Sequence, residues 1–149
     1  MSLSAQIAEE LKAAMRAKDK VKLETLRAIK SAILLAQTEG GATTELSEDD
    51  EMKILIKLQK QRKDSLSIYK EQGREDLAAD EEAQLNVINA FLPQPLSDDE
   101  LNDYLKELIV KVGANGPQDL GKVMGLASKE LAGRADGKTI SAKVRQLLN

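Results

Sequence analysis

The chain reads as an all-α protein. It divides into an N-terminal helical domain of about four helices and a small C-terminal three-helix domain. Three observations predict this. Its 42% apolar content is almost all Leu, Ala, Ile, Val and Met, with Tyr69, Phe91 and Tyr104 as the only aromatics. Strands favour aromatic and β-branched residues, so this composition favours helix. Apolar residues recur at three- and four-residue spacing, and no stretch shows sustained strand alternation. Finally, Ser-led acidic starts and glycine stops punctuate the apolar stripes.

Ser2 or Ser4 can cap a first helix reaching about Ala17, with Leu3, Ile7, Leu11 and Met15 on one face. Asp19 offers a cap for a second, whose stripe of Leu23, Leu26, Ile29 and Ile33 is widened by Leu34 and Leu35. Gly40-Gly41 stops it, and a polar connection follows to Leu46. Ser47 before Glu48, Asp49 and Asp50 starts a long third helix, from about Glu48 to Gln72. A hydroxyl satisfies a free N–H there, and the acids complement the helix dipole. Gly73 ends it. A fourth helix covers about Asp80 to Leu92, stopped by Pro93 and Pro95.

The segment 93–96 reads as a stiff proline hinge between a domain over 1–92 and one over 97–149. Ser97 with Glu100 forms a capping box, and Leu101, Leu105, Leu108 and Val112 form a stripe ending at Gly113. A sixth helix runs from about Pro117 to Leu131. The last begins after Thr139 or Ser141 and carries Ile140, Val144, Leu147 and Leu148. A unit of this size is small for independent stability. It either packs on the first unit or stands as a marginal three-helix bundle.

The chain contains no His and no Cys. Ser-His and Cys-His nucleophiles, disulfides and typical zinc sites are therefore excluded. No catalytic residue, metal or cofactor is assigned. No apolar run approaches the length of a membrane span, and a cytoplasmic location is the default expectation.

The net charge of −3 confines anion binding to a patch. From Leu120 onward, Lys122, Lys129, Arg134, Lys138, Lys143 and Arg145 face only Glu130 and Asp136. Gly121 and Gly125 lie four apart on one helix, each costing about 1 kcal/mol relative to alanine. That cost points to a close approach, either by a neighbouring helix or by a nucleic-acid backbone flanked by Lys122 and Lys129. The loop Gly133 to Lys138, ahead of a helix N-terminus at Thr139 to Ser141, is either an anion site or an ordinary polar turn. It lacks the spacing of a P-loop.

In the N-terminal half, Arg62 falls on the apolar stripe of Leu55, Leu58, Leu66 and Tyr69. It either pairs with Glu81 or Glu82 or is aimed, with Lys63 beside it, at a partner's groove.

Four segments carry a family resemblance: LRAIKSAI from Leu26, QRKDSLSIYKEQGREDLAADE from Gln61, FLPQPLSDDEL from Phe91, and GKVMGLASKELAGRADGKTISAKVRQLL from Gly121. With these the chain resembles the GatB/YqeY family along nearly its whole length. The C-terminal part is similar to the tail domain of the B subunit of glutamine-dependent aspartyl/glutamyl-tRNA amidotransferase. The resemblance implies a tRNA-binding accessory module without catalysis of its own, with contacts from Gly121, Lys122, Gly125, Lys129, Arg134, Lys138 and Lys143. Two alternatives stand beside it. One is a component supporting glutamine-dependent amide transfer on misacylated tRNA, with protein partners from the tRNA amidation or aminoacylation machinery. The other is a helical protein-interaction adaptor docking through the Arg62 helix.

Overall fold

The computed structural model describes residues 2–39 and 45–149. Seven α-helices and one 3₁₀ turn make up the ordered elements among them, and there is no strand. The helices form two compact units, Met1–Leu92 and Pro93–Asn149, each with its own apolar core.

The first unit contains α1 (Leu3–Ala17), α2 (Lys20–Thr38), α3 (Glu48–Glu71) and α4 (Glu75–Asn89). Ser2 caps α1 by accepting from the Ala5 N–H, and Asp19 caps α2 by accepting from the Lys22 N–H. The Leu3 N–H, left open at the start of α1, donates to Glu51 of α3 at 3.2 Å. Leu3, Ile7, Leu26, Ile29, Ile33, Leu55 and Ile88 pack as the core. Thr25 is the one buried polar side chain among the described residues, and its hydroxyl donates to the Val21 carbonyl one turn earlier. The expected stop at Gly40-Gly41 lies outside the described residues.

Two boundaries differ from expectation in this unit. α4 begins at Glu75, not Asp80, and ends at Asn89. Arg74 precedes it without a side-chain cap, so no Ser, Thr, Asp or Asn marks the start. Arg74 instead pairs with Asp76 in the first turn, at 3.3 Å. Gly73, at φ +69°, makes the turn between α3 and α4 and would be strained as any other residue.

The second unit holds α5 (Asp98–Val112), α6 (Leu120–Glu130) and α7 (Gly137–Leu148). Leu101, Leu105 and Leu108 of α5 meet Val123 and Ala127 of α6 and Ile140 and Val144 of α7. Pro117–Asp119 is a 3₁₀ turn leading into α6, where a continuous helix from Pro117 was expected. α7 starts at Gly137, ahead of the expected Thr139, because Asp136 caps it. The segment read as a hinge is fastened within the second unit at Gln94 and Leu96. The Leu96 N–H donates to the Arg134 carbonyl (2.9 Å), and Arg134 Nε donates to the Gln94 carbonyl (3.0 Å).

Both Ser-led helices close as capping boxes. Ser47 and Asp50 exchange side-chain-to-backbone bonds at the head of α3, as do Ser97 and Glu100 at the head of α5. The hydrogen bonds from Ser47 hold the Asp50 carboxyl below its ordinary range, and those from Ser97 do the same for Glu100. A carboxylate depressed on folding stabilises the fold above its unfolded pKa and loses that contribution as pH falls through the folded pKa. Thermal melts taken from neutral to acidic pH should therefore show falling stability below the ordinary carboxylate range. Asp50→Asn and Glu100→Gln should be less stable at neutral pH and show a shallower acid limb. An unchanged acid limb in the double variant would contradict the assignment.

Candidate functional site

The basic C-terminal stretch does not converge on one site. Lys122 Nζ donates to the Val112 carbonyl at the end of α5, at 3.3 Å. This places a cation on the negative end of a helix dipole. Lys143 Nζ reaches Asn102 Oδ1 (3.4 Å) and Asp98 (3.7 Å), with its side chain only 16% exposed. Arg134 is half-buried and holds the chain at Gln94. Lys129 and Lys138 extend along exposed positions of α6 and α7. Three of the five expected contact cations thus have partners within their own unit.

Gly121 and Gly125 lie on an exposed face of α6. A Cβ built on either meets nothing within 4 Å. The close approach inferred from their helix cost is therefore absent for a neighbouring helix. Val123 and Ala127, on the opposite face, make the packing contacts.

The expected anion site at the start of α7 is also corrected. The Asp136 carboxylate accepts from the backbone N–H groups of Lys138 (2.8 Å) and Thr139 (3.2 Å), and from the Thr139 hydroxyl (3.3 Å). A carboxylate already sits where an external anion was expected to bind. Asp136→Ala should destabilise the second unit by about 1 kcal/mol through loss of this cap. Thermal unfolding measures it, and an unchanged melt would contradict the capping role.

In the first unit, Arg62 is half-buried on the seam between α3 and α4. Its expected partner was Glu81 or Glu82. Instead its Nε donates to Gln84 Oε1 and its Nη1 to Gln61 Oε1, both at 3.3 Å. Residue 84, one turn beyond Glu81, comes level with residue 62. Two neutral carboxamides leave the guanidinium charge without a carboxylate in this bond set. Lys63 is exposed.

The surroundings of Arg62 form the most distinctive surface of the unit. α3 has 24 residues but only Leu55 is fully buried. Met52, Ile54, Leu55, Ile56 and Leu58 belong to the core, as do Val87 and Ile88 of α4. Between 59 and 84 Ala78 is buried, but none of the larger apolar residues joins this cluster. This stretch is a helical hairpin, an arm about 20 Å long at 1.5 Å per residue. Leu66, Tyr69 and Leu77 are half-buried along it, and Ile68 is 51% exposed. Ile68 lies off the Leu55–Leu58–Arg62–Leu66–Tyr69 stripe. That position alone could have signalled an apolar residue on an outward face.

Among the described residues, no group of three His, Cys, Asp or Glu is placed to hold a metal ion. No helix of the described residues is long and apolar enough to cross a membrane.

Comparison with known proteins identifies relatives of this chain. The family described as Yqey-like protein matches residues 4–148. Among curated proteins, the chain is 30% identical over 143 residues to Altered inheritance of mitochondria protein 41, mitochondrial, of Pyrenophora tritici-repentis, covering 93% of this chain and 77% of that protein. It is 34% identical over 116 residues to the protein of that name in Clavispora lusitaniae, covering 76% of this chain and 66% of the relative. The counterpart in Vanderwaltozyma polyspora is 35% identical over 119 residues, covering 75% and 63%. In the last two the match spans slightly less than two thirds of the relative's length.

These names overturn two expectations. The reading as a tRNA-binding accessory module is replaced, because the relatives are named for mitochondrial inheritance and not for RNA or amide transfer. The cytoplasmic expectation conflicts with the mitochondrial designation that the same relatives carry. With the match running almost end to end, the chain belongs to the Yqey-like protein family.

Proposed function

We propose that this chain is a non-catalytic helical adaptor that docks protein through the α3/α4 arm, in a mitochondrial setting like that named for its relatives. The arm is the observation that carries this reading. Two helices alone cannot bury both sides of their shared apolar seam, and a helical layer needs another element to cover it. Leu66, Ile68, Tyr69 and Leu77 therefore remain half-buried or exposed on a hairpin outside the core. Interfaces are enriched in aromatic residues and arginine, and this arm carries both in Tyr69 and Arg62. The two units are read as separate domains joined near Pro93, the first docking and the second a compact helical companion.

The reading is tested in fungal cells lacking the relative named for altered inheritance of mitochondria. The chain, directed to mitochondria, should restore normal inheritance, and the arm variant Ile68→Asp/Leu77→Asp should not. Equal restoration by a folded arm variant would sink the docking role of the arm. Failure of the unaltered chain, expressed and folded in mitochondria, would sink the mitochondrial setting.

A further inference from the structure

The corner between α1 and α2 gathers exposed cations that the fold does not use. From residue 12 to residue 20, Lys12, Arg16, Lys18 and Lys20 are exposed against a single acid, Asp19. Asp19 is occupied as the cap of α2, accepting from the Lys22 N–H at 3.1 Å. Glu10 pairs with Lys22 at 2.8 Å. Among the described residues, none of the four cations makes an ion pair or a side-chain hydrogen bond, whether to these acids or to Glu9 and Glu24 on either side of the run. Lys12, Met15 and Arg16 fall within an arc of about 100° on α1. That arc lies off the side where Ile7 and Ala14 are buried, and Met15 is 54% exposed.

Two of these cations stand where folding alone favours another residue. Lys18 closes α1 with a left-handed backbone, φ +55°, the one non-glycine residue so placed among the described residues. That conformation is costly for a residue with a Cβ and favours glycine. Lys20 opens α2, whose first turn carries no acid, and so puts its charge at the positive end of the helix dipole. Arg16, by contrast, suits the negative end of α1. Stability is thus given up at two positions of one turn in favour of positive charge. A helical hairpin ends in a convex tip. Cations around such a tip, with a flexible apolar side chain among them, match a flat anionic surface. We propose that this corner docks on the surface of an anionic phospholipid bilayer, the cations held by lipid phosphates and Met15 inserted among the head groups. The surface shares no residue with the α3/α4 arm.

Co-sedimentation of the full chain with vesicles tests this. The unaltered chain should bind vesicles of phosphatidylcholine and phosphatidylglycerol in equal parts. It should not bind vesicles of phosphatidylcholine alone, and rising salt should release it. Lys18→Gly/Lys20→Glu suits both helix ends, so it should melt no lower than the unaltered chain. It should nonetheless bind the anionic vesicles at least about tenfold more weakly. Met15→Gln should weaken that binding about threefold or more. Lys106→Glu, at an exposed position of α5, should bind as the unaltered chain does, which separates the corner from net charge. Failure of the unaltered chain to bind anionic vesicles at low salt would overturn the proposal. So would equal binding to both kinds of vesicle, or undiminished binding by the folded double variant. Binding to soluble poly-glutamate that anionic vesicles do not compete for would overturn the lipid surface in favour of an acidic protein.

Discussion

Leu105→Ala should unfold the second unit while leaving the first intact. Leu105 is fully buried where α5 meets α6 and α7. Truncating such a leucine costs about 2–5 kcal/mol, the lost transfer energy plus the cavity left behind. A core of this size rarely supplies more than about 3–5 kcal/mol in total. The single change therefore removes most or all of the stability of residues 93–149. Amide resonances of those residues should collapse toward unfolded positions, while those of 2–39 and 45–92 keep their dispersion. The separate core of the first unit, built on Ile7, Leu26, Ile29 and Ile88, is the reason for that contrast. Loss of dispersion across both units would show that the two cores do not fold independently.

The second large effect lies at the root of the arm. Ile88 is 1% exposed and packs into the first core. Ile88→Ala should cost about 2–5 kcal/mol. Leu66→Ala, the same kind of truncation farther out on the arm, should cost roughly 1 kcal/mol or less, because Leu66 is already half in water and leaves no sealed cavity. Denaturant unfolding of both variants measures the difference. Equal losses would mean that the arm is part of the core.

Much of this fold can be read from the chain. Asp19, Ser47 and Ser97 mark three helix starts because short polar side chains reach back to a free N–H, a local event needing no tertiary knowledge. Gly73 and Gly113 mark stops because their backbones turn left-handed, at φ +69° and +70°. The start of α4 was not legible, since Arg74 leaves no cap signature and the turn is set by Gly73 and the Arg74–Asp76 pair. The start of α7 was misplaced because Gly137 and Lys138 look like loop residues. Asp136 captures their side of the chain with its carboxylate and draws both into the helix.

The candidate site was less legible, for a physical reason. A run of cations in sequence says nothing about which of them find partners in the fold. Lys122, Arg134 and Lys143 each reach a carbonyl, carboxamide or carboxylate within the second unit. Arg62 stood out correctly as a guanidinium on an apolar stripe. Its bonding to Gln61 and Gln84 in place of Glu81 or Glu82 depends on how α3 and α4 align, which spacing within one helix cannot fix. The open flank at Ile68 follows from the same alignment.

Hydrogen exchange of the full chain tests the central claim, an arm outside the core. Exchange reports local opening segment by segment. Amides of α3 and α4 in the arm should exchange faster than those of α1 and α2, whose apolar stripes are buried in the first core. Arm amides as protected as those of α1 and α2 would contradict the account.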